Sequence, residues 1–382
     1  MKLEIKHGVI STDDHLQEDR HLFVDRLPKK YRSLAPQVNR GDDGRDYWFV
    51  AGKKLRPVSR GIAAALEDRT QADSIVRIWE DVPKETYQPD ARLRAMEFDG
   101  TDAQAFFPNI SKVWSSAEFI DAETPAYRLA CIQAYNDWVI DEWYNLSPRF
   151  IPQCLAPLWD VSLAVTEINR CAARGHRALM WLAAPEILGL PHFNESHWDP
   201  VYSACEEANM PLVFHIGPTT MLGREVWKGY NPAQLQAYVS MRAMLGNAEL
   251  FGNLLFSGVL SRFPKLQCIS IEAGLGWVPH LLETCDHQWE AGKLWEQGMP
   301  LKPSEYFRRQ CAVNFWYEKI TQEHLAAIGI DNILWEADAF HFTSAFPNSH
   351  DYIENNLASL PESDRRKILV DNAARFYRLD LL

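Results

Sequence analysis

Short apolar runs rich in β-branched residues recur along the chain, and each is followed by a stretch with helical periodicity. The predicted strands are residues 9–12, 103–108, 151–157, 178–182, 211–215, 267–272, 311–315 and 332–335. Strands that alternate with helices in this way predict a parallel (β/α)8 TIM barrel. A doubly wound open sheet is the competing architecture, but no GxGxxG motif follows the first strand.

Two stretches interrupt the alternation, residues 19–90 and residues 218 to about 250. Each follows the carboxyl end of a predicted strand, which is the side where barrel active sites lie, so both are candidate lids. We predict that residues 1–382 form one catalytic domain. Within it, residues 19–90 are expected to form a cap inserted between the first and second strands.

Composition and charge exclude several classes of protein. The net charge is −12 and Lys and Arg do not cluster, so we expect no binding to nucleic acid or to anionic membranes. The start of the chain lacks the apolar segment of a signal peptide, and no long apolar run follows, so we expect a soluble, cytoplasmic protein. The 7 cysteines never form a CxxC pair and are interpreted as reduced thiols, so a metal would be held by nitrogen and oxygen atoms.

Candidate ligands gather at the carboxyl ends of four predicted strands, which meet at one mouth in a barrel. They are Asp13, His15 and Glu18 after the first strand, His215 after the fifth, Glu272 after the sixth, and Asp338 and His341 after the eighth. Asp13 and His15 are two residues apart, so an extended chain places both on one side. Imidazole and carboxylate together suit Zn, Mn or Fe. We therefore predict a divalent-metal site built from these seven residues.

The charge of this set leaves the number of ions open. Its four carboxylates would carry about −4 against +2 from one ion. Either some carboxylates are protonated, or Glu18 lies outside the ligand shell, or a second ion is present. We therefore expect one or two divalent ions per chain.

These strand ends, together with the segments RLRAMEFDGTDAQAFFPN, AYNDWV and LWEADAFHFTSAFPNS, resemble the amidohydrolase-related family 2. This family includes the aminocarboxymuconate-semialdehyde decarboxylase-like enzymes, and the resemblance covers almost the whole chain. It implies that Asp13, His15, His215 and Asp338 are the metal ligands. The sequence departs from the family twice: the usual His-x-His begins here with Asp13, and Glu272 stands where the decarboxylases place a catalytic His.

The leading hypothesis is a metal-dependent enzyme that hydrolyses or decarboxylates a small organic acid, amide or ring compound. Asp338 is the candidate general base, and Glu272 or His341 would shuttle the proton. The alternative is a dinuclear Fe/Mn oxygenase of the non-haem diiron type on the same barrel. A third hypothesis is a barrel that has lost its chemistry and serves as a partner subunit.

The partners expected from the sequence are few. We expect a small-molecule substrate and assembly into a homodimer or a larger oligomer, with a paralogous subunit as a further option.

Overall fold

The strands form where the apolar runs predict them. In the computed structural model, which describes residues 2–111, 124–181, 184–216 and 229–382, they are β1 (Ile10–Leu16), β2 (Gln37–Arg40), β3 (Asp46–Val50), β4 (Lys53–Pro57), β5 (Ala103–Pro108), β6 (Phe150–Ile151), β7 (Gln153–Cys154), β8 (Ala178–Met180), β9 (Leu212–His215), β10 (Cys268–Ile271), β11 (Cys311–Phe315) and β12 (Ile333–Trp335). All eight predicted strands are present, the third one interrupted at Pro152 between β6 and β7. The predicted end of the fourth strand, Leu182, lies outside the described residues.

Helices alternate with the parallel strands. They are α1 (Leu22–Arg26), α2 (Ala72–Ile75), α3 (Pro89–Asp99), α4 (Pro125–Trp138), α5 (Val161–Arg174), α6 (Asp199–Glu207), α7 (Pro232–Phe256), α8 (Val259–Arg262), α9 (Val278–Ala291), α10 (Pro303–Gln310), α11 (Gln322–Ile328), α12 (Ser349–Leu357), α13 (Glu362–Arg366) and α14 (Asn372–Tyr377). Several begin with the signals expected of helix starts, such as the Asp160 side chain that accepts a hydrogen bond from the Leu163 amide at α5. Within the described residues, no helix is long and apolar enough to cross a membrane.

The chain divides into two units. The first comprises Met1–Arg177, Glu336–Glu354 and Leu379–Leu382, and the second comprises Ala178–Trp335 and Asn355–Arg378. In the second unit, β8 to β12 form one parallel sheet in chain order. Its strands are buried and rich in apolar residues, as parallel strands covered on both faces are.

In the first unit, β1, β5 and β6 form a parallel sheet in that order. The register of β1 against β5 shifts between Ser11 and Asp14, so three steps along β1 match two steps along β5. Such a bulge re-aims the side chains around it, and bulges are common beside active sites. β1 is wholly buried although its sequence, ISTDDHL, carries three charged or titratable residues. Their burial indicates a functional rather than a packing role.

The insertion at residues 19–90 belongs to the first unit and contains α1, α2 and an antiparallel sheet of β2, β3 and β4. It packs on the segment that follows β12. The amide of Ala64 donates to the carbonyl of Phe340 at 3.0 Å, and Ala64 shares an apolar cluster with Phe340 and Phe346. Arg69 donates to the carbonyls of Phe342 and Ser344 at 3.1 and 2.8 Å. Its predicted position as a cap over the barrel mouth stays a prediction.

The second candidate lid, residues 218 to about 250, does not interrupt the alternation where it is described. Residues 217–228 lie outside the described residues. From Pro232 onward the chain is α7, which begins with a capping box between Asn231 and Gln234. This helix follows β9 as a barrel helix would, so the expectation that the whole stretch departs from the repeat was wrong.

Candidate metal centre

Asp13 and His15 lie inside β1 rather than beyond its end, and both are fully buried. The Nε2 atom of His15 lies 3.6 Å from Oδ1 of Asp13. The prediction that these two side chains share one side of the strand is therefore confirmed.

The segment after β12 carries Asp338 beside β1. The amide of Asp338 donates to the carbonyl of Asp13 at 2.8 Å, and the amide of His15 donates to the carbonyl of Ala339 at 2.5 Å. Asp338 has a φ of 53°, in the left-handed region that few residues other than glycine adopt and in which Asp is among the better-tolerated residues. These two backbone hydrogen bonds to β1 hold the segment around Asp338 in place.

His15, Asp338 and His341 form a compact group of potential metal ligands. Oδ1 of Asp338 lies 3.6 Å from Nε2 of His15 and 2.8 Å from Nδ1 of His341. The two imidazole rings lie with centroids 3.6 Å apart, and one ligand atom from each of the three residues lies within 4.8 Å of the others. His341 is the most exposed member, with 20% of its side chain accessible.

This group fits a divalent cation. Its donors are imidazole nitrogens and carboxylate oxygens, the set that Zn, Mn and Fe accept. Asp13 and Asp338 both lie within 3.6 Å of the same His15 nitrogen and are fully buried. Two buried carboxylates so close to one another are stabilised when a cation lies between them.

In the second unit, His215 ends β9 and Glu272 directly follows β10, the neighbouring strand. Nε2 of His215 lies 3.3 Å from Oε2 of Glu272. Nδ1 of His215 lies 2.6 Å from the carbonyl of Ile216. A proton on Nδ1 that bonds this carbonyl leaves the lone pair on Nε2, which is the tautomer a metal ligand needs.

Glu272, like Asp338, has a left-handed backbone, with a φ of 61°. Its amide donates to Oδ1 of the buried Asn314 on β11 at 3.0 Å. Two of the predicted site residues thus occupy a conformation that costs about 1 kcal/mol or more. Such strain is typical of side chains aimed at a reaction centre.

The loop after Glu272 is held by Glu318, a residue that the sequence interpretation missed. Oε1 of Glu318 accepts hydrogen bonds from the amides of Leu275 and Gly276, each at 2.9 Å. Burial raises the pKa of Glu318, although the two amide bonds oppose that shift. Glu318 lies three residues beyond β11, past the strand end where ligands were sought. No local motif marks it.

Asp14 is a second residue whose role the sequence did not reveal. Its Oδ1 accepts hydrogen bonds from the amide of Ala339 at 3.0 Å and from Nε2 of Gln104 at 3.1 Å. Burial raises the pKa of Asp14 well above its ordinary value, and the nearby Arg92 guanidinium opposes the shift. The sequence does contain a signal for this residue, because an acidic side chain stands between Asp13 and His15 in a strand that is buried.

Glu18, a predicted ligand, binds the backbone of the first unit. Its carboxylate accepts hydrogen bonds from the amides of Ile110 and Ser111, at 2.9 and 2.6 Å from Oε1. Its burial raises its pKa, while these amides oppose the shift. Through these bonds Glu18 holds the backbone that follows β5. Its role as a metal ligand stays a prediction.

Residues 45–379 match the amidohydrolase family. The match spans most of the chain, so the chain belongs to this family. The resemblance described above is therefore confirmed.

Named relatives and solved structures agree with this assignment. The γ-resorcylate decarboxylase of Rhizobium sp. (strain MTP-10005) is 24% identical over 316 residues, which cover 76% of this chain and 87% of the relative. An amidohydrolase from Mycobacterium avium subsp. paratuberculosis K-10 is 25% identical, with a TM-score of 0.77 and coverage of 97% and 98%. A dihydroxybenzoic acid decarboxylase from Polaromonas sp. JS666, solved with manganese and the inhibitor 2-nitroresorcinol, is 17% identical, with a TM-score of 0.62 and 98% coverage of each chain.

Two predictions from the sequence are now confirmed. The fold is the (β/α)8 barrel of the amidohydrolase superfamily, and the protein is a metal-dependent hydrolase or lyase of that superfamily. The relatives named above are decarboxylases and an amidohydrolase, and they give no support to the alternative of a dinuclear oxygenase.

Proposed function

We propose that this protein is a divalent-metal-dependent decarboxylase of a small hydroxylated aromatic carboxylic acid. The observation that carries the proposal is the group formed by the buried His15 and Asp338 and the partly exposed His341, in a chain similar over 76% of its length to a γ-resorcylate decarboxylase. Substrates of this class carry a carboxylate beside a ring hydroxyl, and both are oxygen ligands that a divalent ion accepts.

The proposed ligands are those that the resemblance implies, Asp13, His15, His215 and Asp338, with Glu272 as a further ligand. Manganese is a candidate because the Polaromonas relative binds it, and zinc and iron suit the same donors. When bound, the ion would neutralise the substrate carboxylate and act as a Lewis acid toward it. One ion is the simplest composition, because the carboxylate of Glu18 accepts hydrogen bonds from two backbone amides instead.

The chain's own residues would supply the proton that decarboxylation requires. The bond between the ring carbon and the carboxylate carbon breaks, CO2 leaves, and the electron pair that stays on the ring carbon accepts a proton. Oδ1 of Asp338 lies 2.8 Å from Nδ1 of His341, so a proton can pass between these two atoms. We propose Asp338, His341 and Glu272 as the residues that deliver it.

Hydrolysis is the second candidate reaction, and it is favoured by the presence of a carboxylate, that of Glu272, at this strand end. A carboxylate at this strand end accepts a proton from water more readily than it donates one to carbon at neutral pH. In that reaction Asp338 would remove a proton from the attacking water, and Glu272 or His341 would protonate the leaving group.

Incubation of the purified, manganese-loaded enzyme with 2,6-dihydroxybenzoate and related hydroxybenzoates tests the proposal. We expect release of CO2 together with the matching phenol, detected by mass spectrometry, and loss of both after treatment with a chelator. Inactivity on the whole acid panel, with turnover of amides or lactones, would establish the hydrolase instead. Elemental analysis of the same sample determines which ion is bound and how many.

A further inference from the structure

We propose that the outer face of α7 is a two-fold symmetric interface to which a second copy of this chain binds. The interface lies wholly within the second unit. It goes beyond the proposed function, because it would form whichever reaction the metal centre performs.

The inner face of α7 is fixed on the parallel sheet of the second unit. Asn247 is fully buried, and its Nδ2 donates hydrogen bonds to the carbonyls of Phe214 on β9 and Ile271 on β10, at 2.8 and 3.3 Å. Phe251 and Leu254 are buried on the same side of the helix. These contacts hold α7 in one orientation, so its opposite face is presented on a fixed support.

The outer face of α7 carries large apolar side chains that are exposed. Met241, Leu245 and Phe256 are 46%, 54% and 40% exposed, and their helical spacing places them on one side, opposite the buried residues. Tyr230, which is 44% exposed, extends this face, because its ring stacks on the ring of Tyr238 in α7 with centroids 5.9 Å apart.

A face of this kind is typical of a protein interface. A helix that is apolar all round is normally covered on every side, and exposed patches rich in Met and aromatic residues mark binding surfaces. A standard interface buries about 800 Å² on each partner, a patch about 30 Å across. The 25 residues of α7 are about 38 Å long at 1.5 Å per residue, so the helix is long enough to span such an interface.

The charges on α7 favour a second copy in the antiparallel orientation as the occupant. Arg242 and Glu249 are the only charged residues in the sequence of α7, and they stand about two turns apart on the outer side. When two copies of α7 pack antiparallel about a two-fold axis near Leu245, Arg242 of each copy faces Glu249 of the other. A parallel pair would place like charges opposite each other. The helix is therefore complementary to itself in the antiparallel orientation.

The apolar side chains and the two charges have different roles in this interface. Burial of Met241 and Leu245 against the second copy removes apolar surface from water, which is the main driving force for association. Exposed ion pairs add little affinity, but like charges that face each other oppose association strongly. Because of the two-fold axis, a single substitution changes two equivalent contacts.

Sedimentation of the wild-type protein and of two charge-reversed variants, over a range of concentrations, tests the interface. Arg242→Glu and Glu249→Arg should each weaken self-association by about 10- to 100-fold, because both cross-pairs then join like charges. An equimolar mixture of the two variants should associate about as tightly as the wild type, because each cross-pair again joins opposite charges. A mixture that associates no more tightly than the separate variants contradicts the proposal.

Leu245→Asp places a charge beside the two-fold axis and should abolish the association through α7. Leu146→Asp is the matched control, because Leu146 is 49% exposed and belongs to the first unit, and it should leave the association unchanged. Circular dichroism verifies that each variant is folded, and the two charge reversals carry the test if Leu245→Asp is not. A wild-type protein that is monomeric at the highest attainable concentration, or an assembly whose mass no α7 variant lowers, overturns the proposal. Either result leaves the proposed function untouched.

Discussion

Three carboxylates, those of Asp13, Asp14 and Asp338, are fully buried around the end of β1. The charge of Asp338 is one of the causes that raise the pKa of Asp14, which indicates repulsion between these side chains. Buried carboxylates with like neighbours destabilise a fold unless a cation or a proton compensates. At the scale of single residues, we therefore expect these buried charges to lower the stability of the metal-free protein and to favour the binding of a cation.

Asp338→Asn tests this expectation directly. The substitution keeps the shape of the side chain and removes one buried charge, and Asn tolerates the left-handed backbone that Asp338 adopts. We expect the metal-free variant to melt at the same temperature as the metal-free wild type or above it. Added Mn²⁺ should raise the melting temperature of the wild type only, because only a ligand that binds the folded state stabilises it. Equal stabilisation of both proteins would show that Asp338 is not a ligand.

Glu272 provides the second test at this scale. Glu272→Gln keeps the shape and the hydrogen-bonding length but removes the charge that faces His215 at 3.3 Å. If Glu272 is a ligand, as the sequence predicts, the amount of bound metal should fall, or one of two ions should be lost, together with turnover. Elemental analysis and activity are measured on the same sample. An unchanged single ion with abolished turnover would restrict Glu272 to proton transfer and would contradict the two-ion hypothesis.

At the scale of elements, the loop between β10 and α9 positions Glu272. Glu318 binds two of its amides, and Gly274 has a φ of 69° in this loop. A Cβ atom on Gly274 would lie 2.6 Å from Oε1 of Glu318, closer than any real contact. The loop therefore needs glycine for both its conformation and its contact with Glu318.

Gly274→Ala should consequently displace the loop and lower turnover strongly. Gly298→Ala is a matched control, because Gly298 has a φ of 90° and its Cβ would meet nothing within 4 Å. The control carries only the cost of the left-handed backbone, about 1 kcal/mol. We expect denaturant unfolding to show a larger decrease in the free energy of unfolding for Gly274→Ala than for Gly298→Ala. Activity should fall in the Gly274→Ala variant alone. Equal effects of both changes would mean that the contact with Glu318 has no role in the site.

At the scale of the whole molecule, the insertion at residues 19–90 is predicted to cap the barrel mouth and so to limit what can reach the metal centre. It binds the 338–346 segment through Ala64 and Arg69, and the amide of Gln17 donates to the carbonyl of Thr86 at 2.9 Å. Because these bonds connect it to the rest of the first unit, we expect it to unfold with that unit.

Limited proteolysis measures this cooperativity. The insertion should be degraded together with the first unit, and Mn²⁺ should protect both. Arg69→Met, which removes the donors to the carbonyls of Phe342 and Ser344, should make the insertion more sensitive to cleavage. Release of residues 19–90 as a stable folded fragment would show an independent domain and contradict the predicted cap.

Light scattering on the intact protein tests the predicted homodimer or larger oligomer.

The sequence alone determined the order of strands and the chemistry at their ends. Apolar runs that must be buried on both faces are visible in a local window, and all eight predicted strands were found. Asp13, His15 and Asp338 could be placed as neighbours because parallel strands in a barrel share one end. The error at residues 218–250 has a local cause: apolar residues are spread around α7 rather than forming one stripe, so the helical period is weak there.

Only the tertiary structure decided which residues support the site. Arg92 donates a hydrogen bond to the carbonyl of His15, 77 positions earlier, Glu318 binds amides more than 40 residues earlier, and Glu18 binds amides 92 and 93 residues later. Hydrogen bonds of this kind depend on strand register, on the bulge in β1 and on the left-handed turns at Glu272 and Asp338. Local periodicity carries no information about partners so far apart, because their distance is set by the packing of whole elements.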